Sequence, residues 1–373
     1  MTLLMPTVLS LVGADFTILR KKYVIEGKLI CEEPVAVGAP AEVFQLVDRP
    51  VIRIRNVDGQ VVPYIPGSSL KGVLRSFAET ILRTIALSSN IKIDEFSEKL
   101  FNILATKIKD ELFNKGFVKK KEKQNEEATI YLIEENRLKD TLEKAQNTVR
   151  ELIKKGQWNV FCCNTLASNV EQDLKDKSSM FIANVQVPLF YLPCIACQLF
   201  GGGGLASHII IHDAFPESPD EISVRHRTCV SIDRMFRRQK PGRLFTIEFV
   251  EPGSVFKFRL EIVNLELESD KVKEFQNKAE ELINKISSNN DDNKKFDAAV
   301  EFIKSLKTYI VALILKELTS GNIQVGGRKS AGLGRVRLEI SKVTAYYVHN
   351  FKIVKEEDSA AASIRALISA VEE

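Results

Sequence analysis

The stretch "YIPGSSLKGVLRSF", from Tyr64 to Phe77, marks the point where an extended segment gives way to a helix. Pro66 and Gly67 interrupt the strand-like residues before them, and apolar residues then recur at helical spacing. These residues are Leu70, Val73, Leu74 and Phe77. We expect Ser68 or Ser69 to cap the helix, because a hydroxyl oxygen accepts hydrogen bonds from the first free amides.

The beginning of this helix is a predicted anion site. Its free N–H groups and the positive end of its dipole attract negative charge. Lys71 and Arg75 are four residues apart and therefore lie on one side of the helix. A phosphate group would fit there. The alternative is an ordinary capped helix with solvated basic residues.

Composition limits the possible functions. With 373 residues, 45% of them hydrophobic, the chain can form one large core or two domains. The net charge of +4 is small for this length, so any affinity for nucleic acid must come from local clusters. We find no secretory signal or membrane-spanning run, and the six cysteines then favour a reducing compartment. We therefore expect a cytoplasmic protein without a membrane partner.

The order of predicted elements favours an α+β fold. An extended segment at 23–30 precedes the helix, and a long hairpin is predicted at 224–250. The alternating "SVFKFRLEIVNLE" and two helices within 271–317 follow, and the last strands come after the glycine-rich "VGGRKSAGLGRV". Strand, helix, strand, strand, helix, strand is the order of a ferredoxin-like core, which many RNA-recognition modules share.

The predicted organisation is a discontinuous core with an insertion. Residues 1–87 and 187–348 would form the ferredoxin-like core, with the hairpin at about 220–250. Residues 88–186, rich in Lys, Glu, Asn and Leu, predict a mainly helical insertion. Residues 349–373 predict a C-terminal helical tail.

The hairpin has a strong excess of positive charge. Between residues 225 and 243, Asp233 is the only acid, and the basic residues are Arg225, Arg227, Arg234, Arg237, Arg238, Lys240 and Arg243. A solvated hairpin normally mixes both signs, so this pattern indicates a polyanionic partner such as RNA. Met235 and Phe236, in the middle, could insert between bases or pack back on the core.

The glycine-rich loop is a second predicted phosphate contact. Gly326, Gly327, Gly332 and Gly334 permit close approach of a backbone, and the loop contains the cations Arg328, Lys329 and Arg335. The sequence is neither a Walker A motif nor a dinucleotide-binding fingerprint, because the required spacing and the following helix are both missing. The alternative is a plain tight turn.

Four cysteines are candidates for a structural zinc site. Cys194 and Cys197 have the Cys-x-x-Cys spacing of half a zinc site, and Cys162, Cys163, His208 and His212 could complete it. We favour buried thiols instead, because a second half with fixed spacing is missing. No other cofactor is predicted.

Taken together, these motifs resemble one family. "YIPGSSLKGVLRS", "CIACQLFG", "VRHRTCVSIDR", "GRLFTIEFVEPGSVFKF" and "VGGRKSAGLGRV" occur in that order in the RAMP superfamily of CRISPR-associated proteins. The resemblance covers Lys22–Leu87 and Val187–Leu338, and it is greatest to the backbone subunit of type III effector complexes. It implies a modified RNA-recognition fold with a thumb hairpin. The implied partners are a CRISPR guide RNA, its complementary target RNA and other RAMP subunits.

The resemblance breaks down at one functional position. Cleaving members have an Asp in the loop after the first strand, where this chain has Ala39, Pro40 and Ala41. Only Glu42 and Asp48 could replace that carboxylate, and Mg²⁺ would be needed only if RNA is cut. We therefore expect a guide-binding structural subunit. The alternatives are a metal-dependent ribonuclease subunit, and a stand-alone RNA-processing enzyme with His226 as base.

Overall fold

The structure is a computed structural model of the chain. It describes residues 7–38, 47–89, 91–119, 133–164, 170–182, 185–233, 235, 238–288 and 291–371. The helices are α1 (Val8–Leu11), α2 (Gly67–Ser88), α3 (Ile93–Asn114), α4 (Glu135–Lys154), α5 (Val170–Ser178), α6 (Ile195–Phe200), α7 (Ser269–Ser288), α8 (Asp292–Thr319) and α9 (Asp358–Ser369).

The longer strands build the central sheet and a separate hairpin. The strands are β1 (Lys22–Cys31), β2 (Arg53–Arg55), β3 (Val61–Pro63), β4 (Val118–Lys119), β5 (Ile133–Glu134), β6 (Met180–Ile182), β7 (Val185–Val187), β8 (Ile209–Ile211), β9 (Val224–Asp233), β10 (Arg238–Val250), β11 (Val255–Val263), β12 (Ile323–Gln324), β13 (Arg335–His349) and β14 (Lys352–Glu356).

The central sheet has the predicted ferredoxin-like topology. Its order is β12-β13-β1-β11-β8, with β14 added beside β13, and all pairs are antiparallel. If β1, β8, β11 and β13 are counted as the four core strands, helix α2 follows the first and α8 precedes the last. This arrangement is compatible with the βαββαβ ferredoxin-like fold, so the predicted α+β class is confirmed.

A glycine allows the central strand to pair on both sides. The register between β1 and β13 shifts between Glu26 and Gly27. A Cβ atom on Gly27 would lie 2.2 Å from the carbonyl oxygen of Glu339, so only glycine fits this close approach. The irregularity lets the long strand β13 bend while it stays paired with β1.

The helices on either side of the boundary at residue 88 share one hydrophobic core. Helix α3 packs against α4, α7 and α8. Phe96 of α3 contacts Phe302 of α8 edge-on, with ring centroids 5.4 Å apart, and Phe161 and Phe275 also pack on Phe302. The division into a core and an insertion at 88–186 stays a prediction, but the two parts are joined by this aromatic cluster.

The hairpin and the C-terminal region differ in how well they were predicted. Strands β9 and β10 form the hairpin expected at 224–250, with Val224 opposite Val250. The tail at 349–373 is not simply helical, because Lys352–Glu356 forms β14 against β13 before α9 begins. Asn350 and Phe351 adopt positive φ angles of 48° and 60°, which close the tight turn between the two strands.

Candidate nucleic-acid interface

Strands β9 and β10 form the thumb hairpin, which lies between β8 and β11 in the sequence. Arg225 forms an ion pair with Glu251 (2.9 Å) and remains largely exposed. The guanidinium of Arg227 lies 5.4 Å from the centre of the Phe249 ring. Met235, between the two strands, is 83% exposed. Arg234, Phe236 and Arg237 are outside the described residues, so their predicted contacts with RNA stay predictions.

The glycine-rich loop lies against the base of the thumb hairpin. Arg328 has a φ of 58°, and its guanidinium lies 4.4 Å from the centre of the Phe245 ring on β10. The Nε atom of Arg328 is buried and has no hydrogen-bond partner in the described part of the chain. Lys329 is exposed in the following 3₁₀ turn. A stacked guanidinium keeps its outer N–H groups available for a phosphate.

Three of the four glycines have a structural reason, and one of them is Gly332, whose φ of 78° favours glycine. A Cβ atom on Gly326, which has a φ of 85°, would lie 2.4 Å from the carbonyl oxygen of Ala36. One on Gly334, with a φ of 102°, would lie 2.3 Å from the carbonyl oxygen of Val325. In contrast, Gly327 has room for a side chain, and its N–H donates to Ala36 O at 2.8 Å. The loop is therefore docked on the segment after β1.

The segment after β1 is held by the base of the thumb hairpin at both ends. Val35 exchanges backbone hydrogen bonds with Val250 on β10. After residues 39–46, which include Glu42 and are outside the described residues, the carboxylate of Asp48 accepts a hydrogen bond from Thr246 N (2.6 Å). This bond gives Asp48 a positioning role in the fold. Catalysis by Asp48 or Glu42 is untested.

Glu248 strengthens the same junction. Its carboxylate accepts hydrogen bonds from Val51 N (2.9 Å) and from Arg53 Nη1 (2.8 Å). The hydrogen bond from Arg53 is among the causes that hold the pKa of Glu248 below its usual value, against the opposing effect of burial. His226, the proposed base of the stand-alone enzyme, lies opposite Glu248 in the hairpin register. Three segments distant in sequence therefore meet here: the thumb base, the glycine-rich loop and the ends of the first-strand loop.

The beginning of α2 differs from the prediction. Pro66 is the N-cap residue and has no side-chain cap, so neither Ser68 nor Ser69 caps the helix. Instead, the carboxylate of Asp213 accepts a hydrogen bond from Gly67 N at 2.7 Å. A carboxylate at this position already provides the negative charge that the helix dipole attracts. The expectation of a serine cap was therefore wrong, and a phosphate would meet an acid there.

Lys71 and Arg75 both point towards the segment after α6. The Nζ of Lys71 donates to Ser207 Oγ (2.9 Å), and burial lowers the pKa of Lys71, as does the nearby Arg75. Arg75 donates to the Glu79 carboxylate (2.8 Å), to Gly201 O (2.9 Å) and to the sulfur of Cys197 (3.4 Å). Their contact with phosphate stays a prediction, and the hydrogen bonds of Arg75 give it a structural role.

Three of the four candidate zinc ligands come together. The ligand atoms of Cys163, Cys194 and Cys197 lie within 4.8 Å of one another, and all three residues are buried. The neighbouring Cys163 thiol and burial both raise the pKa of Cys197, to about 11. Cys162 is outside this group, and Arg83 Nη2 donates to its sulfur at 3.4 Å. Converging thiols are the ligand set that zinc prefers, so these three residues could hold the metal.

The two histidines proposed as further zinc ligands have other contacts. His208 Nδ1 lies 2.6 Å from Val263 O, and His212 Nε2 lies 3.2 Å from the Glu261 carboxylate. Neither belongs to the cysteine group found among the described residues. Any fourth ligand would therefore have to come from elsewhere.

The open face of the sheet carries cross-strand ion pairs. Lys22 pairs with Glu261 (3.1 Å), and Arg259 pairs with Glu26 (2.7 Å). On β13, Arg337 pairs with Glu339 (2.7 Å). Because opposite charges alternate here, this face offers a polyanion little net attraction. The loops and the thumb hairpin are the better candidates for RNA contact.

The aromatic residues under the arginines were missed in the sequence. Phe245 and Phe249 alternate with Ile247 along β10, and Arg328 and Arg227 lie over the two phenylalanine rings. The alternation in "LFTIEFV" was a usable signal, because residues two apart on a strand share a face. The pairing with Arg328 had no local signal.

Comparison with known proteins agrees with this geometry. No curated protein matches the chain. Among the helices in the described part of the chain, none has the length and apolar composition needed to span a membrane. A family model described as "RAMP superfamily" matches residues 28–337, which include strands β8, β11 and β12 of the sheet, the thumb hairpin and the glycine-rich loop. The chain therefore belongs to the RAMP superfamily, a family of CRISPR-associated, RNA-binding proteins that work with protein partners.

Proposed function

We propose that this protein is a guide-RNA-binding backbone subunit of a type III interference complex. The observation that carries the proposal is the meeting of the thumb base, the glycine-rich loop and the ends of the first-strand loop. The cations of this interface are Arg225, Arg227, Arg328, Lys329 and Arg335. Four of them, Arg225, Arg227, Arg328 and Arg335, are fixed by an ion pair or an aromatic ring.

The proposed contacts are with the RNA backbone. Guanidinium groups and loop amides bind phosphate without reading bases, as a subunit that accepts any guide requires. The glycine-rich loop brings its backbone close to the strand, and Arg328 supplies charge beside it. The thumb hairpin would then separate segments of the guide–target duplex, with Met235 near its tip.

We further propose that this subunit binds target RNA without cutting it. Support comes from the sequence, which has Ala39, Pro40 and Ala41 where cleaving relatives have an aspartate. One oxygen of the Asp48 carboxylate already accepts a hydrogen bond from Thr246 N, which ties this side chain to the thumb hairpin. Complementary target RNA and other RAMP subunits are the proposed partners.

The test compares two arginine variants in RNA binding. Arg328→Ala should weaken binding of a guide-length RNA, and reduce the slope of log affinity against log salt by about 1, for every RNA sequence tried. Arg365→Ala is the matched control, because Arg365 is an exposed arginine on α9, away from the interface. Filter binding at several salt concentrations measures both quantities.

Three outcomes would contradict the proposal. Equal effects of both variants would mean that the interface does not bind the RNA backbone. A loss confined to one RNA sequence would mean that bases are read. Cleavage of bound target RNA that Glu42→Ala abolishes would replace the structural function with a ribonuclease.

A further inference from the structure

A cavity of about 320 Å³ lies at the opposite end of β1 from the candidate interface. It is lined by the segment before β1, the residues after β11 and the middle of α8. Tyr23 lines it near the beginning of β1, whereas the interface begins after Cys31 at the end. At about 3.3 Å per residue, the two sites are separated by roughly 25–30 Å.

A buried lysine lines this cavity. Lys307 is 1% exposed, and its Nζ donates to Val12 O at 2.6 Å. It also lies 3.3 Å from His208 Nε2. Because His208 Nδ1 is 2.6 Å from Val263 O, Nδ1 carries the ring proton and Nε2 accepts from Lys307. An ammonium group has three N–H donors, so one is left for the cavity that Lys307 lines.

The cavity has more positive than negative side chains. Its cations are Arg20, Lys21, Lys304 and Lys307, and its acids are Glu266 and Glu268. Glu266 pairs with Lys304 at 3.2 Å. In the described part of the chain, no carboxylate lies within ion-pair distance of Lys307 or Arg20. A buried cation without a counter-charge is costly, and a small anion would remove that cost.

We propose that this cavity binds a small organic phosphate. Its phosphate group would lie between Lys307, Lys304 and Arg20, and the organic part would contact Tyr23 and Leu265. The volume is at the lower end of the range for small-molecule sites, and fits a molecule the size of a mononucleotide better than a polymer. The site is independent of the RNA interface.

Binding should be coupled to protonation of Lys307. Burial and the positive charges of Lys304 and Arg20 together lower the pKa of Lys307 to about 7, against the opposing effect of Glu266. A bound phosphate favours the charged amine, so binding at about pH 8 takes up a proton. The other titratable groups around it are His208, Lys21 and Glu268.

Isothermal titration calorimetry with inorganic phosphate and with AMP tests the proposal. At about pH 8, in two buffers with different heats of ionisation, wild type should bind and take up a fraction of a proton. Lys307→Met should weaken binding about tenfold or more and abolish the proton uptake, since a charged hydrogen bond is lost. Lys316→Met, on the same helix, is the matched control.

Further variants make each outcome decisive. Arg20→Gln changes an exposed residue, so it should weaken binding while the fold stays intact. Arg328→Ala, at the RNA interface, should leave phosphate and AMP binding unchanged. Tighter binding of AMP than of phosphate indicates a nucleoside contact, and equal binding indicates recognition of the anion; both support the site. Three results would overturn the proposal. Wild type would show no binding at millimolar concentrations, Lys307→Met would bind as tightly as wild type, or Arg328→Ala would lose phosphate and AMP binding.

Discussion

At the scale of single residues, two sets of buried side chains have effects that can be measured. Lys307 and His208 form a buried hydrogen-bonded pair, and both have pKa values below their usual ranges because burial disfavours the charged forms. Cys163, Cys194 and Cys197 bring three thiols into one buried cluster. The first group couples the stability of the fold to pH, because a buried amine binds a proton less readily in the folded than in the unfolded chain.

The stability of the protein should rise with pH because of Lys307. Its usual pKa is 10.5 and its folded value is about 7, so between these values the unfolded state binds a proton that the folded state does not. The free energy of unfolding should therefore increase by up to about 1.4 kcal/mol per pH unit across this window. Lys307→Met should remove that contribution. Urea unfolding at several pH values measures it, and parallel curves for both proteins would contradict it.

We propose that the cysteine cluster holds a structural zinc ion. Cys163→Ser or Cys197→Ser should then lose the metal and lower the melting temperature, and a chelator should destabilise wild type in the same way. Cys229→Ser is the matched control, since Cys229 lies on β9, outside the cluster. Elemental analysis for zinc, together with thermal melts, tests whether the cluster holds the metal. Metal-free wild type whose melting is insensitive to the chelator would mean that the cluster is a set of buried thiols.

At the scale of elements, neighbouring glycines of the glycine-rich loop have different roles: some allow the loop to pack on the chain, and another lies beside the proposed RNA contact. Gly326 and Gly334 let the loop pack on the chain, whereas Gly327, next to Arg328, has room for a side chain. Asp213 and Asp48 show the same principle elsewhere, because each fixes the backbone of another element with one carboxylate. The shape of the interface depends on such contacts between elements.

Substitutions of the adjacent glycines should therefore have different effects. Gly326→Ala should destabilise the fold by about 2 kcal/mol or more, because the new Cβ would clash with Ala36 O at a positive φ. Gly327→Ala should leave the melting temperature nearly unchanged. Gly327→Val should weaken RNA binding if the backbone of the loop contacts the strand. Thermal melts and filter binding separate the two effects, and normal RNA binding by Gly327→Val would identify the loop as a structural turn.

The sequence predicted elements better than the contacts between them. The thumb hairpin and the break between α7 and α8 were found because alternation and polar runs are local signals. The cap of α2 was missed because Asp213 is 146 residues away from Gly67. Strand β14 was missed because its turn has Asn350 and Phe351 at positive φ, and neither residue is glycine. Of the candidate site, the basic segments were predictable, but the stacking of Arg328 on Phe245 was not.

At the scale of the whole molecule, one aromatic cluster connects the two predicted parts. Phe96 and Phe161 lie within the predicted insertion, and Phe275 and Phe302 belong to the core. These rings pack without a polar boundary between them. Because cooperative unfolding follows from a shared core, the insertion and the core should behave as one unit.

The single tryptophan allows this cooperativity to be measured. Trp158 is 2% exposed and lies within the predicted insertion, so its fluorescence reports on the packing of that part of the chain. Its thermal transition should coincide with the loss of helical circular dichroism. Phe302→Ala should lower the free energy of unfolding by about 3–5 kcal/mol and shift both signals together. Separate transitions would mean that the insertion folds independently.

The position of β1 at the centre of the sheet also determines how the protein emerges from the ribosome. Its two neighbours, β11 and β13, begin at Val255 and Arg335, so β1 is synthesised long before either partner exists. At roughly 5–20 residues per second, the wait is on the order of 10 s or more. During that time an apolar strand has no native neighbour. The apolar residues of β1 therefore stay without their strand partners until most of the chain has been translated.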